Sequence, residues 1–330
     1  MAAKLMRAVR YDRYGGGTKD LKHVEVPIPT PKKNEILLKV EAISLNPADW
    51  KMQQGALRPL CPRKFPHIPG MDVAGEVIEV GSSVKDFKAG DKAVTYLGLR
   101  IGGGLAEYVV AEESMTVARP PEVSAADAAG LPIAAITAYE ALVDSSGIKL
   151  DGSGKLVNVL VTAASGGVGH YAVQLAKLGN AHVTATCGAR NLDFVRSLGA
   201  DEVIDYKTTD KAALKSPSGV KYDIVIHCTT GIPWSTFEPN LSAKGKVIDI
   251  SPTFIAYLIY IKAKLLTFSK KQLVPMIAHS KRENLDFLVN LVKEGKLKTV
   301  IDSKYPLSKA EDAWDKSIEG HATGKIIVEP

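Results

Sequence analysis

Residues 159–179 read VLVTAASGGVGHYAVQLAKLG, and no other stretch narrows the fold so far. A short apolar run gives way to a glycine-rich turn and then to a segment whose apolar residues recur at helical spacing. A strand that feeds a helix in this way meets its next strand in parallel, because the helix must cross back over the sheet. The stretches HVTATC, EVIDY, DIVIHC and KVIDIS that follow are short apolar runs separated by helix-length segments such as NLDFVRSLG. Strands apolar on both sides predict a parallel sheet covered on both faces, so this part of the chain is expected to be a doubly wound α/β domain.

The turn also points to a ligand. Gly166 and Gly169 fall on the second and third glycines of the dinucleotide fingerprint, with Ala164 in place of the first. A helix N-terminus offers unpaired amide hydrogens to a pyrophosphate, and a missing Cβ lets the phosphate oxygens approach. Ser165, Gly166, Gly167, Val168 and Gly169 are the expected cradle; the alternative is a tight turn with no ligand. ATP is disfavoured because no G-K-[ST] ending follows. The end of the next strand selects the cofactor. A site for NAD usually places an acid there for the ribose hydroxyls, whereas this chain has Cys187, Gly188, Ala189, Arg190 and Asn191. Arg190 suits a charge-assisted contact with a 2′-phosphate, which favours NADPH/NADP; the alternative is an ordinary surface arginine at a helix start.

The earlier part of the chain has another texture. Up to about Val117 it is β-like: NEILLKVEAIS alternates apolar residues at Ile36, Leu38 and Val40, and DVAGEVIEVG, DKAVTYLG and AEYVVAEE follow between glycine-rich turns. Past Arg119-Pro120-Pro121 an Ala-rich run begins, with Ser124 as helix N-cap. The expected division is a β-rich, barrel-like domain over residues 1–123, a dinucleotide domain over 124–296, and a tail from about 297 to 330 that returns to the first domain as a strand, a Ser308-capped helix and a last strand. Two domains also suit 330 residues, beyond the size at which one core stops growing.

Bulk properties exclude several classes. Apolar residues at 45% and charged residues at 24% describe an ordinary globular chain. Cys61, Cys187 and Cys228 are odd in number and far apart, which argues against a disulfide framework or a cysteine zinc site. The opening MAAKLMRAVRYDRYGGG has neither the apolar run of a secretory signal nor a long Ser- and Arg-rich leader; it reads as a strand, and composition alone suits a soluble cytoplasmic protein. The nearest approach to a membrane span, residues 253–268, is interrupted by Lys262 and Lys264. Net charge is +6, and residues 262–298 hold nine Lys or Arg against three acids. A solvated cationic face explains this, with an anionic membrane surface or nucleic acid as the sharper alternative.

SLNPADWK, PGMDVAGEVIEVG, GDKAV, GGLAEYV and AASGGVGHYAVQLAKLGNAHVTAT occur in that order across nearly the whole chain. Together they resemble the medium-chain dehydrogenase/reductase superfamily, in its quinone oxidoreductase branch. CGARN and GHATGKIIVEP narrow the resemblance to the plant chloroplast-envelope homologues, NADPH-dependent reductases of α,β-unsaturated ketones. The resemblance implies a GroES-like β domain completed by the C-terminal segment, a Rossmann domain between, and a peripheral place at the inner chloroplast envelope.

It also bears on metals. Zinc-dependent members carry a Cys where SLNPADW stands and Gly-His-Glu where this chain has Gly70, Met71 and Asp72. Catalytic zinc needs about three protein ligands, so no metal is expected. Asp72 then reads first as a structural carboxylate holding its turn, with a catalytic acid or base as the alternative.

Without zinc, the reaction expected is hydride addition from NADPH to the β-carbon of a small hydrophobic enone, with hydrogen-bond donors aimed at the oxygen where charge develops. By resemblance Asn46 and Lys51 line the cleft. Lys51 suits a cofactor phosphate or an enolate, or is an exposed lysine after Trp50. By resemblance Tyr206 packs near the nucleotide, the alternative being a plain strand-end aromatic; Ile250 and Ser251 lie where Rossmann strands open onto ligand, and Gly324 with Lys325 follows the family's C-terminal cofactor contact. The histidines, including His67, His170 and His227, read as structural. The apolar run 254–268 is a wall for a long substrate, a homodimer contact or a core helix. Quinone reduction is the nearest rival activity. The rival from another class is an NADPH-binding protein that uses a basic face for membrane or nucleic acid, although no DNA is expected as partner.

Overall fold

The computed structural model describes residues 4–56, 58, 62–208, 214–252, 256, 258, 260 and 270–330. The chain divides into two compact units, Met1–Ala134 with Ser280–Pro330, and Ala135–His279.

The first unit opens with an antiparallel ribbon of β1 (Leu5–Arg10) and β2 (Lys22–Pro27). Its main sheet holds β3 (Glu35–Leu45), β4 (Asp72–Val80), β5 (Lys92–Tyr96), β6 (Tyr108–Glu112), β7 (Thr116–Ala118), β14 (Ile301–Pro306) and β15 (Lys325–Glu329). The order is β14-β15-β3-β4-β5-β7, with β6 beside β3. The long β3 has two partners on one edge: β6 covers Glu35–Lys39 and β15 covers Ile43–Leu45. Its apolar side chains, with Val73, Val77, Trp314, Ile326 and Val328, form the buried core, and this burial supplies most of the drive to fold.

Register places the chemistry. Ser44 lies opposite Asp72 on β4 and opposite Ile327 on β15, and Leu45 lies opposite Ile326. One step further brings Lys325 to Asn46, which caps α1 (Pro47–Gln53). The two strands of the tail thus lie in the first sheet.

The second unit is a six-stranded sheet with every pairing parallel, in the order β10-β9-β8-β11-β12-β13. These strands are β8 (Asn158–Val161), β9 (His182–Cys187), β10 (Glu202–Asp205), β11 (Tyr222–His227), β12 (Leu241–Asp249) and β13 (Gln272–Pro275). The chain reverses its direction of travel across the sheet at β8, the strand that leads into the glycine loop, and such switch points hold ligands.

Some expectations are corrected. The units part at residues 134/135 and 279/280, not at 123/124 and 296/297. The flanking helices α2 (Ala125–Ala129) and α7 (Arg282–Lys293) pack on the first sheet, α2 over β3, β4 and β5 and α7 over β7. Arg282 is ion-paired with Asp86 at 2.7 Å, and Thr299 Oγ1 donates to the Asp127 carbonyl at 3.0 Å. Ser124 does cap α2, its Oγ accepting the Asp127 amide at 3.1 Å. Ser308 caps nothing: it sits inside a 3₁₀ turn, Leu307–Lys309, and Lys309 stands at the N-cap of α8 (Ala310–Glu319). Cys61 and nearly all of the run 254–268 lie outside the described residues. Among the described residues no helix is long and apolar enough to cross a membrane.

Candidate active site and nucleotide loop

In NPAD, Asn46 has the extended backbone of an N-cap, Pro47 takes the first helical position and Asp49 the third, the arrangement of a capping box. Asp49 Oδ2 accepts the Asn46 amide at 2.8 Å, and Asp49 Oδ1 accepts the Gly70 amide at 3.2 Å. The turn at Gly70 is therefore held by Asp49 and not, as expected, by Asp72. Gly70 needs the help: its φ is +93°, and a Cβ there would lie 3.0 Å from the Leu105 amide nitrogen.

The Asn46 side chain is the hub of a buried network. Its Nδ2 donates to Asp72 Oδ2 at 2.9 Å and to the Ser44 carbonyl at 3.2 Å, and its Oδ1 accepts Lys325 Nζ at 2.6 Å. Asp72 Oδ2 also accepts the Ile133 amide at 3.2 Å. Asn46, Asp49, Asp72 and Lys325 are all buried. Both amide hydrogens of Asn46 are taken, so it has none left for a substrate oxygen, a limit its family resemblance could not reveal. Among the described residues, Ser44 Oγ and Asp72 Oδ1, which belong to directly opposed residues, are buried without a partner.

Burial disfavours charge here. It raises Asp72 to about 7 against the pull of Lys325, and raises Asp49 to about 6 against its amide hydrogen bonds. Burial likewise lowers Lys325, which the two carboxylates oppose. Lys325, expected at the cofactor, has its ammonium inside this network. Gly324 before it has φ +94°, and a Cβ there would sit 2.2 Å from the Val300 carbonyl. Lys51 is half-buried on α1, its Nζ 5.6 Å from the centre of the Trp50 ring.

In the second unit, Thr186 on β9 holds the start of the loop. Its Oγ1 accepts the Ala163 amide at 3.2 Å and its carbonyl accepts the Ala164 amide at 2.8 Å. The Gly166 amide turns back to the Ala163 carbonyl at 3.0 Å, and α4 (Gly169–Leu178) begins directly after. A Cβ at Gly169 would lie 2.3 Å from the Ala163 oxygen, so glycine lets the helix approach the strand end. Among the described residues the amides of Ser165, Gly167 and Val168 have no hydrogen-bond partner. Unpaired donors at a helix N-terminus fit a pyrophosphate.

The other expected cofactor residues stand at neighbouring strand ends. Gly188, Ala189, Arg190 and Asn191 follow β9, and Arg190 is exposed. Tyr206 follows β10; its amide donates to the Cys187 carbonyl at 3.2 Å, and a Cβ on Gly188 would lie 3.8 Å from its ring. Ile250 and Ser251 follow β12, the Ser251 amide donating to Asp249 Oδ1 at 3.0 Å. The sequence reading missed a buried link beneath them. Thr162 Oγ1 accepts the Cys228 amide at 2.9 Å and lies 3.1 Å from His227 Nδ1, tying the ends of β8 and β11. Burial lowers His227 despite Asp249 nearby, which favours the uncharged ring. Burial pushes the Cys187 and Cys228 thiols up to about 11 and 12, so neither is an activated nucleophile.

Zinc does not fit the residues present. Asp72 is engaged by Asn46 with an ammonium beside it, Met71 stands before it, and among the described residues no three His, Cys, Asp or Glu side chains gather to hold a metal.

Comparison with known proteins agrees with this architecture. Residues 32–121 match the alcohol dehydrogenase GroES-like domain family, and residues 198–328 match a family described as zinc-binding dehydrogenase. The chain is 69% identical over 330 residues, all of both proteins, to the chloroplast envelope quinone oxidoreductase homolog of Arabidopsis thaliana. It is 34% identical to the NADPH-dependent alkenal/one oxidoreductase, chloroplastic, of the same plant, covering 99% of this chain and 80% of that protein. The solved quinone oxidoreductase from Coxiella burnetii superposes with a TM-score of 0.86 at 32% identity, over 99% of this chain and 100% of that one. With its GroES-like unit, its Rossmann unit and these full-length relatives, the chain belongs to the medium-chain dehydrogenase/reductase superfamily of oxidoreductases, among the quinone oxidoreductase homologues.

Proposed function

We propose that the chain reduces the activated C=C bond of α,β-unsaturated carbonyls by metal-free hydride transfer from NADPH. The observation that carries this reading is the network at Asp72. The corner where zinc-dependent members place ligands here holds the buried Asn46, whose side chain bonds both the Asp72 carboxylate and the Lys325 ammonium while its backbone amide bonds Asp49. A reaction that needs a metal to polarise an alcohol has no support there, whereas an enone is already electrophilic at its β-carbon. The nicotinamide supplies the hydride. The chain's part is to bind the dinucleotide through the unpaired amides of Ser165, Gly167 and Val168, and to hold the substrate in line with it.

NADPH is preferred over NADH because β9 is followed by Gly188-Ala189-Arg190, with no acid to repel a 2′-phosphate. The 34%-identical relative bears both NADPH and alkenal/one in its name. Quinone reduction is the second reading, favoured by the name of the 69%-identical relative. That name also supports a place at the chloroplast envelope; peripheral contact with its anionic surface, through the basic residues of 262–298, belongs to the same reading. A homodimer is part of the same reading.

The test is NADPH consumption by purified protein against enones, enals, quinones and alcohols, before and after chelation. Turnover of enones above quinones, unaffected by chelator and without stoichiometric zinc, is expected. Preference for alcohols, or loss of activity on chelation, would overturn the reading.

A further inference from the structure

We propose that His170 is a positioning residue for the cofactor: its ring fixes the peptide plane that aims the Gly167 amide at the pyrophosphate. This rests on the dinucleotide reading of the loop and deepens it.

His170 is the second residue of α4 and is fully buried. Its backbone amide donates to the Gly166 carbonyl at 3.1 Å, and its ring Nδ1 lies 2.9 Å from the same oxygen. A carbonyl only accepts, so Nδ1 carries the hydrogen in this contact. One residue thus places two donors on one oxygen, gripping it from the helix side.

The grip matters because of the peptide unit it holds. The Gly166 carbonyl and the Gly167 N–H belong to one trans peptide, so they point in opposite directions. Turning the carbonyl toward the helix turns the Gly167 N–H away from it, and among the described residues that N–H has no partner. Neither Gly166 nor Gly167 has a Cβ to restrict the plane, so the loop's own chain does little to hold it. The backbone bond alone is of the kind that frays in a first helical turn. The ring supplies the second restraint from inside the core, where it exchanges with no water.

The test compares His170→Asn, His170→Gln and His170→Leu by equilibrium binding of NADPH and of 2′-phosphoadenosine, which lacks the pyrophosphate. An Asn amide can present a donor near the position of Nδ1, whereas Gln reaches toward that of Nε2. His170→Leu is expected to weaken NADPH about tenfold, the scale of one lost hydrogen bond. Binding of 2′-phosphoadenosine should stay within about twofold of the parent, and His170→Asn should recover most of the NADPH loss where Gln does not. Equal losses for both ligands, or equal behaviour of Asn and Gln, would overturn the proposal. Should the Leu variant fail to fold, the Asn and Gln pair still decides. If the parent prefers NADH, the cofactor choice falls and the same comparison is made with NADH. If the parent binds no dinucleotide, the reading beneath the proposal falls with it.

Discussion

The ammonium of Lys325 lies 2.6 Å from Oδ1 of Asn46, in the interior of the first unit. The contact decides which way the Asn46 amide faces, since an ammonium can only donate. Nδ2 is thereby committed to Asp72, and the last strand of the chain is tied to the helix that carries Lys51.

Removing the ammonium takes from buried Asp72 and Asp49 the positive charge that Lys325 supplies. Lys325→Met is expected to lower unfolding stability by about 3–5 kcal/mol, the usual penalty for an orphaned buried charge. Adding Asp72→Asn should recover a large part of that loss. Urea unfolding of the two variants beside the parent measures both effects, and a double variant no more stable than Lys325→Met alone would contradict the coupling.

The same pair makes stability depend on pH. Asp72 and Asp49 are raised from 3.8 to about 7 and about 6, so the folded chain holds protons that the unfolded chain has released. Their contribution is full below the unfolded value and is lost as pH rises through 6 to 7. Lys325, lowered by burial, acts in the opposite sense, losing stability as pH falls through its folded value. Glu202 is lowered from 4.5 to about 2, the hydroxyls of Ser216, Ser218 and Thr184 overcoming the effect of its burial, and so contributes in full above 4.5. Urea midpoints taken from about pH 5 to pH 8 should therefore decline less for Asp72→Asn than for the parent; parallel declines would show that Asp72 does not titrate in that range.

Arg190 follows β9 at the place where a ribose-binding acid would otherwise stand. Arg190→Ala is expected to weaken NADPH binding about tenfold or more and to change NADH binding little, because only NADPH carries the 2′-phosphate. Fluorescence titration with each dinucleotide separates the cases. Equal losses would remove the basis for choosing NADPH.

Gly169→Ala places a methyl 2.3 Å from the Ala163 carbonyl and 2.7 Å from Ala164 Cα. Backbone on both sides must shift, which pushes α4 from the strand end and spreads the three unpaired amides. Dinucleotide affinity is expected to fall at least about tenfold, with the circular dichroism spectrum retained. Undiminished binding in a folded variant would mean that this close approach does not shape the cradle.

Much of this was legible beforehand. The run from Val159 through the glycine turn predicted a parallel sheet and the helix behind the loop, and both are present. Local patterning suffices there because strand, turn and helix are consecutive and each has its own periodicity. Asp49 is encoded locally too, as the third helical residue after an Asn-Pro start, whereas the isolated carboxylate of Asp72 beside a Pro-Gly turn is the more conspicuous candidate in the sequence. His170 and His227 read as structural from the sequence, but their partners, Gly166 and Thr162, become partners only through a helical turn or across parallel strands.

The sequence by itself determined the two textures, the glycine loop between strand and helix and the lack of a zinc ligand set at Met71-Asp72, since these depend on residue type and short spacing. The tertiary structure alone decided that Lys325 faces Asn46 and that Asn46 has no amide hydrogen to offer. Those residues are separated by most of the chain and meet because β15 pairs with β3 in one register. A shift of one residue would turn every side chain of that strand to its other face, and no local pattern encodes which register is taken.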